Sequence, residues 1–326
     1  RRLLPKVDPK IRVYDWRENK FHYVLTLGLP GVWRERGATT MGTCDLLFLI
    51  ALSEEFEQLF ELFPYMEAVP DPRHGHSDFA FDIPGPAGPR RVVARLVGGM
   101  GVGDAQLAAD RALERWKPEM VVNIGIAASL HDDVKLCDVV IASQVDAWDA
   151  NLKAVPDGDG RYALQHRGAV FHGRHQLLQA LERYRFEHRA AYLDWASRGE
   201  LRVMDSVPPD DRARLSDQGA IRRKPDLHLR HLASGSVVGA AEAFAAFLKV
   251  RDASLGALEM EAAGMVRAAE KRQNTIPWLV VRGISDLGDE RKSKLDATGG
   301  GALRGIAMLN ALELVLDFAK AGLLEP

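Results

Sequence analysis

The sequence predicts an α/β protein: one compact three-layer α/β/α domain with helices on both faces of a mixed, mostly parallel, twisted sheet. Two observations carry this. Short continuous apolar runs alternate along the chain with stretches whose apolar residues recur at helical spacing. That alternation argues for a mainly parallel sheet covered on both sides. The chain is also long enough to bury such a sheet. It has 326 residues, 47% of them hydrophobic, and α/β folds often reach about 250 residues as one unit.

Residues 1–42 stand apart as a leader, a linker or an arm, rich in charge and aromatics (Tyr14, Trp16, Phe21, Tyr23, Trp33) and ending in RERGATTMG. FHYVLTLGL could form one short strand there, and Met41 is a natural start for the compact domain over 43–326. From Asp45, DLLFLIAL reads as a buried strand and SEEFEQLFELF as a helix with Phe56, Leu59, Phe60 and Phe63 on its apolar face. Ser53 is the N-cap candidate, with Glu54 and Glu55 in the first turn. Residues 70–90 read as a Pro/Gly-rich turn region before the strand RVVARLV. Gly98 to Gly103 then lead into the helix DAQLAADRALERW, and MVVNIGIA and DVVIASQV read as strands.

The middle, from about 150 to 231, is more polar and reads as a looser or inserted part with one or two helices over HQLLQALERYRFEHRAAYLDWA. HLASGSVVG returns to strand character, EAFAAFLKV is helical, and WLVVRGIS reads as a buried strand. The final ALRGIAMLNALELVLDFAKAG predicts an amphipathic helix with Leu303, Ile306, Leu309, Leu312 and Val315 near one face.

Composition excludes several classes. Lys+Arg 43 against Asp+Glu 45 leaves a formal net charge of −2, which argues against a nucleic-acid partner. Cys44 and Cys137 are too few for a disulfide framework and fit a reducing compartment. No apolar run reaches the roughly 18 residues of a membrane span, and RRLLPKVDPKIR lacks the apolar core of a secretory signal. A soluble cytoplasmic protein is expected.

The chemistry concentrates in carboxylates. Glu259 and Glu261 are placed at the head of an alanine-rich helix, and Asp286 ends the strand WLVVRGIS. Ligand sites of open α/β sheets gather outside the carboxyl ends of strands. With Glu55 these acids could face one pocket, and they suit a hydroxyl-rich substrate whose leaving group must be protonated. Cleaving an N-ribosidic bond makes that demand: protonate the purine, stabilise the oxocarbenium-like sugar, activate water, and hold the ribose hydroxyls. A capped helix and a strand-end Asp would give the same pattern.

The glycine segment fits Gly99-x-Gly101-x-Gly103, but Asp104 stands where a dinucleotide fingerprint needs its third glycine. It reads as a small-molecule-approach loop or a tight turn. The pairs His74/His76, His172/His175 and His228/His231 lack a zincin-type pattern and read as surface or loop histidines, so neither metal nor cofactor is expected. No G-x-S-x-G offers a serine nucleophile. Arg222, Arg223, Lys224 and Arg230 form a solvated basic loop or a phosphate-neutralising one.

Four segments, in order, resemble the purine/uridine phosphorylase superfamily, nearest its methylthioadenosine/S-adenosylhomocysteine nucleosidase branch. They are LIALSEEFE, GGMGVGDAQLAADRAL, MVVNIGIAASLHDDVKLCDVVIASQV, and LGALEMEAAGMV with IPWLVVRGISDLGDE. Together they run from about Asp45 to Gly322.

The resemblance implies a nucleoside phosphorylase-like fold and a set of roles. Glu55 would activate water, Glu261 would hold the ribose hydroxyls, and Asp286, oriented by Ser285, would protonate the purine. Met260 would pack beneath the sugar, Gly99 and Gly101 would belong to the ribose loop, and Ile126 and Ala127 would line the substrate. Val237 and Val238 lie in the base-binding loop, without its usual aromatic. Ile126 and Ala128 stand where the family has a small polar residue and a glycine, and Cys137 where a glycine is common. Glu259 would be structural.

Phosphorolytic relatives hold phosphate with arginines, one just before this glycine-containing strand end, where Asn123 stands instead; that favours hydrolysis over phosphorolysis. The long Arg/His-rich middle fits a variant branch, known from bacterial antiviral defence, that acts on adenine nucleotides such as ATP. Arg222, Arg223, Lys224 or Arg230 would then meet a 5′ phosphate. A homo-oligomer, dimer or larger, is expected from the same resemblance. A non-catalytic nucleoside sensor would have lost one of the acids. An unrelated nucleotide-binding domain would require the four-segment match to be accidental.

Overall fold

The structure, a computed structural model, describes residues 42–158, 160–272 and 274–325, with two short strands before them. Those strands, β1 (Arg12–Asp15) and β2 (Lys20–Tyr23), pair antiparallel within a first unit, Arg1–Thr40. The sequence placed a strand over FHYVLTLGL; β2 covers its first three residues, and the rest lies outside the described residues.

The second unit, Met41–Pro326, is built on a ten-stranded sheet. It opens with β3 (Leu46–Ile50), α1 (Ser53–Leu62), β4 (Glu67–Asp71), β5 (His76–Ile83), β6 (Arg90–Leu96), α2 (Val102–Trp116), β7 (Met120–Ser129) and β8 (Val139–Ala147). The small hairpin β9 (Lys153–Pro156) and β10 (Tyr162–Gln165) follows, then β11 (Val170–His172), α3 (His175–Glu187), α4 (Arg189–Ser206) and α5 (Pro209–Asp217). The chain closes with β12 (Leu227–Ser234), α6 (Glu242–Arg251), β13 (Leu255–Glu259), α7 (Ala262–Glu270), β14 (Trp278–Asp286), α8 (Lys292–Ala297) and α9 (Ala302–Lys320).

The predicted class holds. Strands β3, β6, β7 and β14 are parallel neighbours, as are β8, β12 and β13, while β4, β5 and β6 make an antiparallel edge. The sheet also closes on itself, because β14 pairs with both β7 and β8 while β13 joins β12 to β7. The strands buried on both faces are the continuous apolar runs: every residue of β3, β13 and β14 is buried. Each fully buried Val, Leu, Ile or Phe there contributes roughly 1.5–3 kcal/mol relative to exposure.

Five readings need correction. Residues 70–90 are not all turn: β5 lies within them, its alternating HSDFAFDI hidden between Gly75 and the Pro/Gly run that follows. Leu52, not Ser53, caps α1. The polar middle is not loose, since Tyr184 of α3 and Trp195 of α4 are fully buried and Trp195 Nε1 donates to the Asn310 carbonyl at 2.9 Å. Arginines interleaved with these apolar positions conceal them in the composition. In HLASGSVVG, only the residues to Ser234 are strand. Helix α9 is buried around most of its girth rather than along one face, because it lies among α1, α4 and β14.

Candidate functional site

Glu55 sits in the first turn of α1, immediately after β3, and is buried. Its Oε2 accepts the N–H of Leu52 at 3.0 Å and its Oε1 accepts the N–H of Ile126, on β7, at 2.9 Å. The carboxylate is therefore pinned between the start of α1 and the backbone of β7. A side chain at Gly125 would place its Cβ 3.1 Å from Glu55 Oε1 and 3.5 Å from Arg282 Nη1. The bare backbone leaves room for both groups.

Glu261 precedes α7, and its Oε1 accepts the N–H of Gly101, at the start of α2, at 3.2 Å. Helices α2 and α7 can approach this closely because residue 264 is glycine: a Cβ there would lie 2.0 Å from the Val102 carbonyl oxygen. Glu259 ends β13 instead of heading the helix, and it caps α7 by accepting the N–H groups of Glu261 and Ala262 at 3.0 and 2.9 Å. It also pairs with the buried Arg282, whose guanidinium further donates to the Asn123 side chain and carbonyl. Glu259 is thus committed to structure.

Asp286 ends β14 and is buried. Its Oδ1 accepts the Gly288 N–H at 3.0 Å; its Oδ2 accepts the Ser285 hydroxyl at 3.1 Å and Lys292 Nζ at 2.6 Å. Glu55, Glu261, Ser285 and Asp286 line one cavity of about 140 Å³ with Met260, Ile126, Ala127, Val237 and Val238. Burial pushes the Glu55 carboxyl above its ordinary range, against the opposing pull of the Ile126 N–H and Arg282. Burial, and then the neighbouring Glu259, raise Glu261 to about 7. Elevated carboxyls gathered in a cleft are the electrostatic mark of a site that trades protons and hydrogen bonds.

Most of the residues singled out in the sequence meet here. Gly101 takes part through its N–H, whereas Gly99 lines a separate depression with Asp104. The four basic candidates do not reach the cavity. Arg222 pairs with Asp138 and Asp226, Arg223 and Lys224 with Glu200, and Arg230 with Asp133. They lie where the chain's own carboxylates occupy them. Of the histidine pairs, His228 and His231 separate, the first facing Asp138 and the second Asp252, whereas His74 and His76 both turn toward Asp71, away from the cavity. Among the described residues, no three His, Cys, Asp or Glu side chains are arranged to hold a metal ion.

Sequence reasoning missed Arg282, Lys292, Arg304 and Met100. Arg282 carried a signal, a lone cation inside the apolar run WLVVRGIS, where burial demands a partner. Lys292, Arg304 and Met100, which line the cavity, follow no periodicity that marks them.

The chain matches the phosphorylase superfamily over residues 45–318. It is 25% identical over 206 residues to the 5′-methylthioadenosine/S-adenosylhomocysteine nucleosidase of Bacillus licheniformis, covering 63% of this chain and 72% of that protein. It is 26% identical over 224 residues to the ATP nucleosidase Cap17 of Escherichia coli, covering 64% of this chain but only 37% of that longer protein. The solved 5′-methylthioadenosine/S-adenosylhomocysteine nucleosidase of Neisseria meningitidis, in complex with methylthio-immucillin-A, shares the fold. Its TM-score is 0.55 at 21% identity, over 85% of this chain and 99% of that one. With the match running from β3 into α9, across every segment that carries a cavity acid, the chain belongs to the phosphorylase superfamily.

Proposed function

We propose that this chain is a purine nucleosidase that hydrolyses the N-ribosidic bond of an adenine nucleoside or nucleotide and releases the free base. The observation that carries the reading is the convergence of Glu55, Glu261 and Asp286, from three separate segments, on one cavity. The relatives named nucleosidases support the reaction class.

In this reaction the bond from purine nitrogen to ribose C1′ breaks and its electron pair leaves with the base. Asp286 gives its proton to a purine ring nitrogen. The Gly288 N–H holds Oδ1, and Ser285 and Lys292 hold Oδ2, so the carboxyl is fixed in place on the cavity wall. Glu261, above the ordinary carboxylate range, accepts hydrogen bonds from the ribose hydroxyls and holds the sugar in register. Water bonds to C1′ and its proton passes to Glu55, whose affinity for a proton burial raises above the ordinary carboxylate range. Met260 packs against the sugar, and Val237 and Val238 wall the base.

Hydrolysis is favoured over phosphorolysis because the buried arginine nearest Glu55 is already engaged. Arg282 is tied to Glu259 and Asn123 and does not stand free for a phosphate dianion.

The test is to incubate the protein with methylthioadenosine, S-adenosylhomocysteine, adenosine, inosine, AMP and ATP, with and without phosphate, while following free base. Phosphate-independent release of adenine is expected. Release that requires phosphate would overturn hydrolysis, and release of no base from folded protein would favour a sensor. Asp286→Asn should slow release by a factor on the order of 10²–10⁴, the usual cost of losing a general acid.

A further inference from the structure

The segment between β12 and α6, residues 235–241, supplies Val237, Val238 and Gly239 to the cavity and has no regular structure of its own. Its two ends are held by carboxylates from other parts of the chain. At the first end, Asp149 Oδ2, just past β8, accepts the Ser236 N–H at 2.8 Å. At the second end, Glu290 accepts the Glu242 N–H at 3.1 Å. Beneath the first anchor, residue 235 must be glycine, because a Cβ there would lie 2.4 Å from Trp148 Nε1 and 3.0 Å from Asp149 Cγ. Trp148 also meets Phe244 of α6 edge-on at 5.3 Å between ring centroids, so both ends of the segment rest on one aromatic side chain. Gly239 lies over Leu258 in the same way, with a Cβ there 2.5 Å from its Cδ2.

We propose that Asp149 is a positioning residue: by holding Ser236 it fixes Val237 and Val238 as the wall against which the purine base packs, with Glu290 fastening the far end. Glu290 lies four residues beyond Asp286, so the base wall and the proton donor are tied to the same stretch of chain. A charge-assisted hydrogen bond to a backbone N–H is stronger than a neutral one, and Asp149 spends its carboxylate on a segment whose valines are 42% and 52% exposed. Without the anchor the valines stay apolar but lose their fixed place. Binding of the base then weakens equally in ground and transition states, which raises KM and leaves kcat nearly as it was. The proposal rests on the nucleosidase reading for the identity of the ligand.

The experiment measures KM and kcat on the best adenine substrate, and the Kd of free adenine by calorimetry. It uses wild type, Asp149→Ala, Asp149→Asn and Glu290→Ala, with Tm recorded for each. Asp149→Ala should weaken adenine binding and raise KM about tenfold, in keeping with loss of one charged hydrogen bond, with kcat within about twofold. Asp149→Asn, whose amide oxygen still accepts the N–H, should recover most of the loss, which a general structural defect would not allow. Glu290→Ala should show a smaller effect of the same kind, and it carries the comparison if Asp149→Ala does not fold. Unchanged adenine affinity in Asp149→Ala and Glu290→Ala, or equal losses in Asp149→Ala and Asp149→Asn, would overturn the proposal. If wild type binds adenine but releases no base, the nucleosidase reading fails while the affinities still decide the role of Asp149. If wild type neither binds adenine nor releases it, both fail.

Discussion

At the β4–β6 edge, Asp71 and Asp78 are buried beside Arg95, Arg115 and Trp116; at the strand ends near β7, Glu55 and Glu261 are buried with far less company. Asp78 accepts Arg95 Nε at 2.6 Å, Arg95 Nη2 at 2.8 Å, Arg115 Nη1 at 2.9 Å and Trp116 Nε1 at 2.6 Å. Burial pushes Asp71 upward, but the His74 hydrogen bond, the Arg73 N–H and Arg115 outweigh it, and its carboxyl ends below the ordinary range. In the cavity the balance reverses. Arg282 is the buried cation beside Glu55, Glu259 and Glu261, and its ion pair is with Glu259. Burying charge costs several kcal/mol per ion unless it is paired and hydrogen-bonded. The edge meets that cost with matched partners and gains rigidity. The cavity leaves it partly unmet, and so raises both carboxyls above their ordinary range, Glu261 to about 7.

The contrast breaks most sharply under exchange of one acid from each group. Glu55→Gln removes the base, so adenine release should fall by a factor on the order of 10²–10⁴; its amide can accept only one of the Leu52 and Ile126 N–H groups, so stability should fall by about 1–3 kcal/mol. Asp78→Ala should act on stability alone. It strands Arg95, which is 1% exposed, and breaking a buried pair typically costs 3–5 kcal/mol. Activity per folded molecule should hold. Chemical denaturation alongside a base-release assay checks both. Loss of activity without loss of stability in Asp78→Ala would erase the distinction.

Much of this was legible beforehand, and the exceptions share a cause. The α/β class, the strand ends and the acids Glu55, Glu261 and Asp286 follow from apolar periodicity and from the position of acids after strands. What the sequence hid depends on contacts far along the chain. Arg282 is 159 residues from Asn123 and 23 from Glu259, yet bonds to both. Lys292 reaches Asp286 only because α8 starts where it does. In the middle region the basic residues Arg222, Arg223, Lys224 and Arg230 read as a solvated loop or a phosphate-neutralising one, and composition could not show that the fold pairs them with carboxylates. Their partners Asp138, Glu200, Asp226 and Asp133 are dispersed in sequence and gather only in the fold.

A pH series sharpens the comparison further. Glu261 moves from an ordinary 4.5 to about 7 in the folded state, worth on the order of 3 kcal/mol. Its folded form keeps a proton that the unfolded form has lost. The contribution is therefore full below pH 4.5 and disappears as pH rises through about 7. Glu55, raised as well, acts in the same direction. Asp71 acts in the other: its contribution is present above 3.8 and is lost as pH falls through its lowered folded value. Denaturation of wild type against Glu261→Gln should show wild type losing stability between pH 4.5 and about 7 relative to the variant. Over the same range the KM of wild type should fall, as the carboxylate that accepts ribose hydroxyls forms. A parallel stability profile for the two proteins would place Glu261 among the ordinary carboxylates.

The smallest effect is expected where the basic composition first drew attention. Arg223 is paired with Glu200 at the surface, its side chain 86% exposed, and Lys224 shares the same partner. Exposed pairs of this kind contribute about 0–1 kcal/mol. Alanine at either position should change stability by no more than about 0.5 kcal/mol and leave KM for adenosine and for ATP where it was. The two substrates differ only in phosphates, so a rise in KM for ATP alone would bring these cations back to the substrate's 5′ side. That result would mean that Glu200 releases them when a stronger anion arrives. It would also move the line between the two kinds of buried and surface charge: a carboxylate that pairs a cation in the free protein would then be storing it for a ligand instead of spending it on the fold.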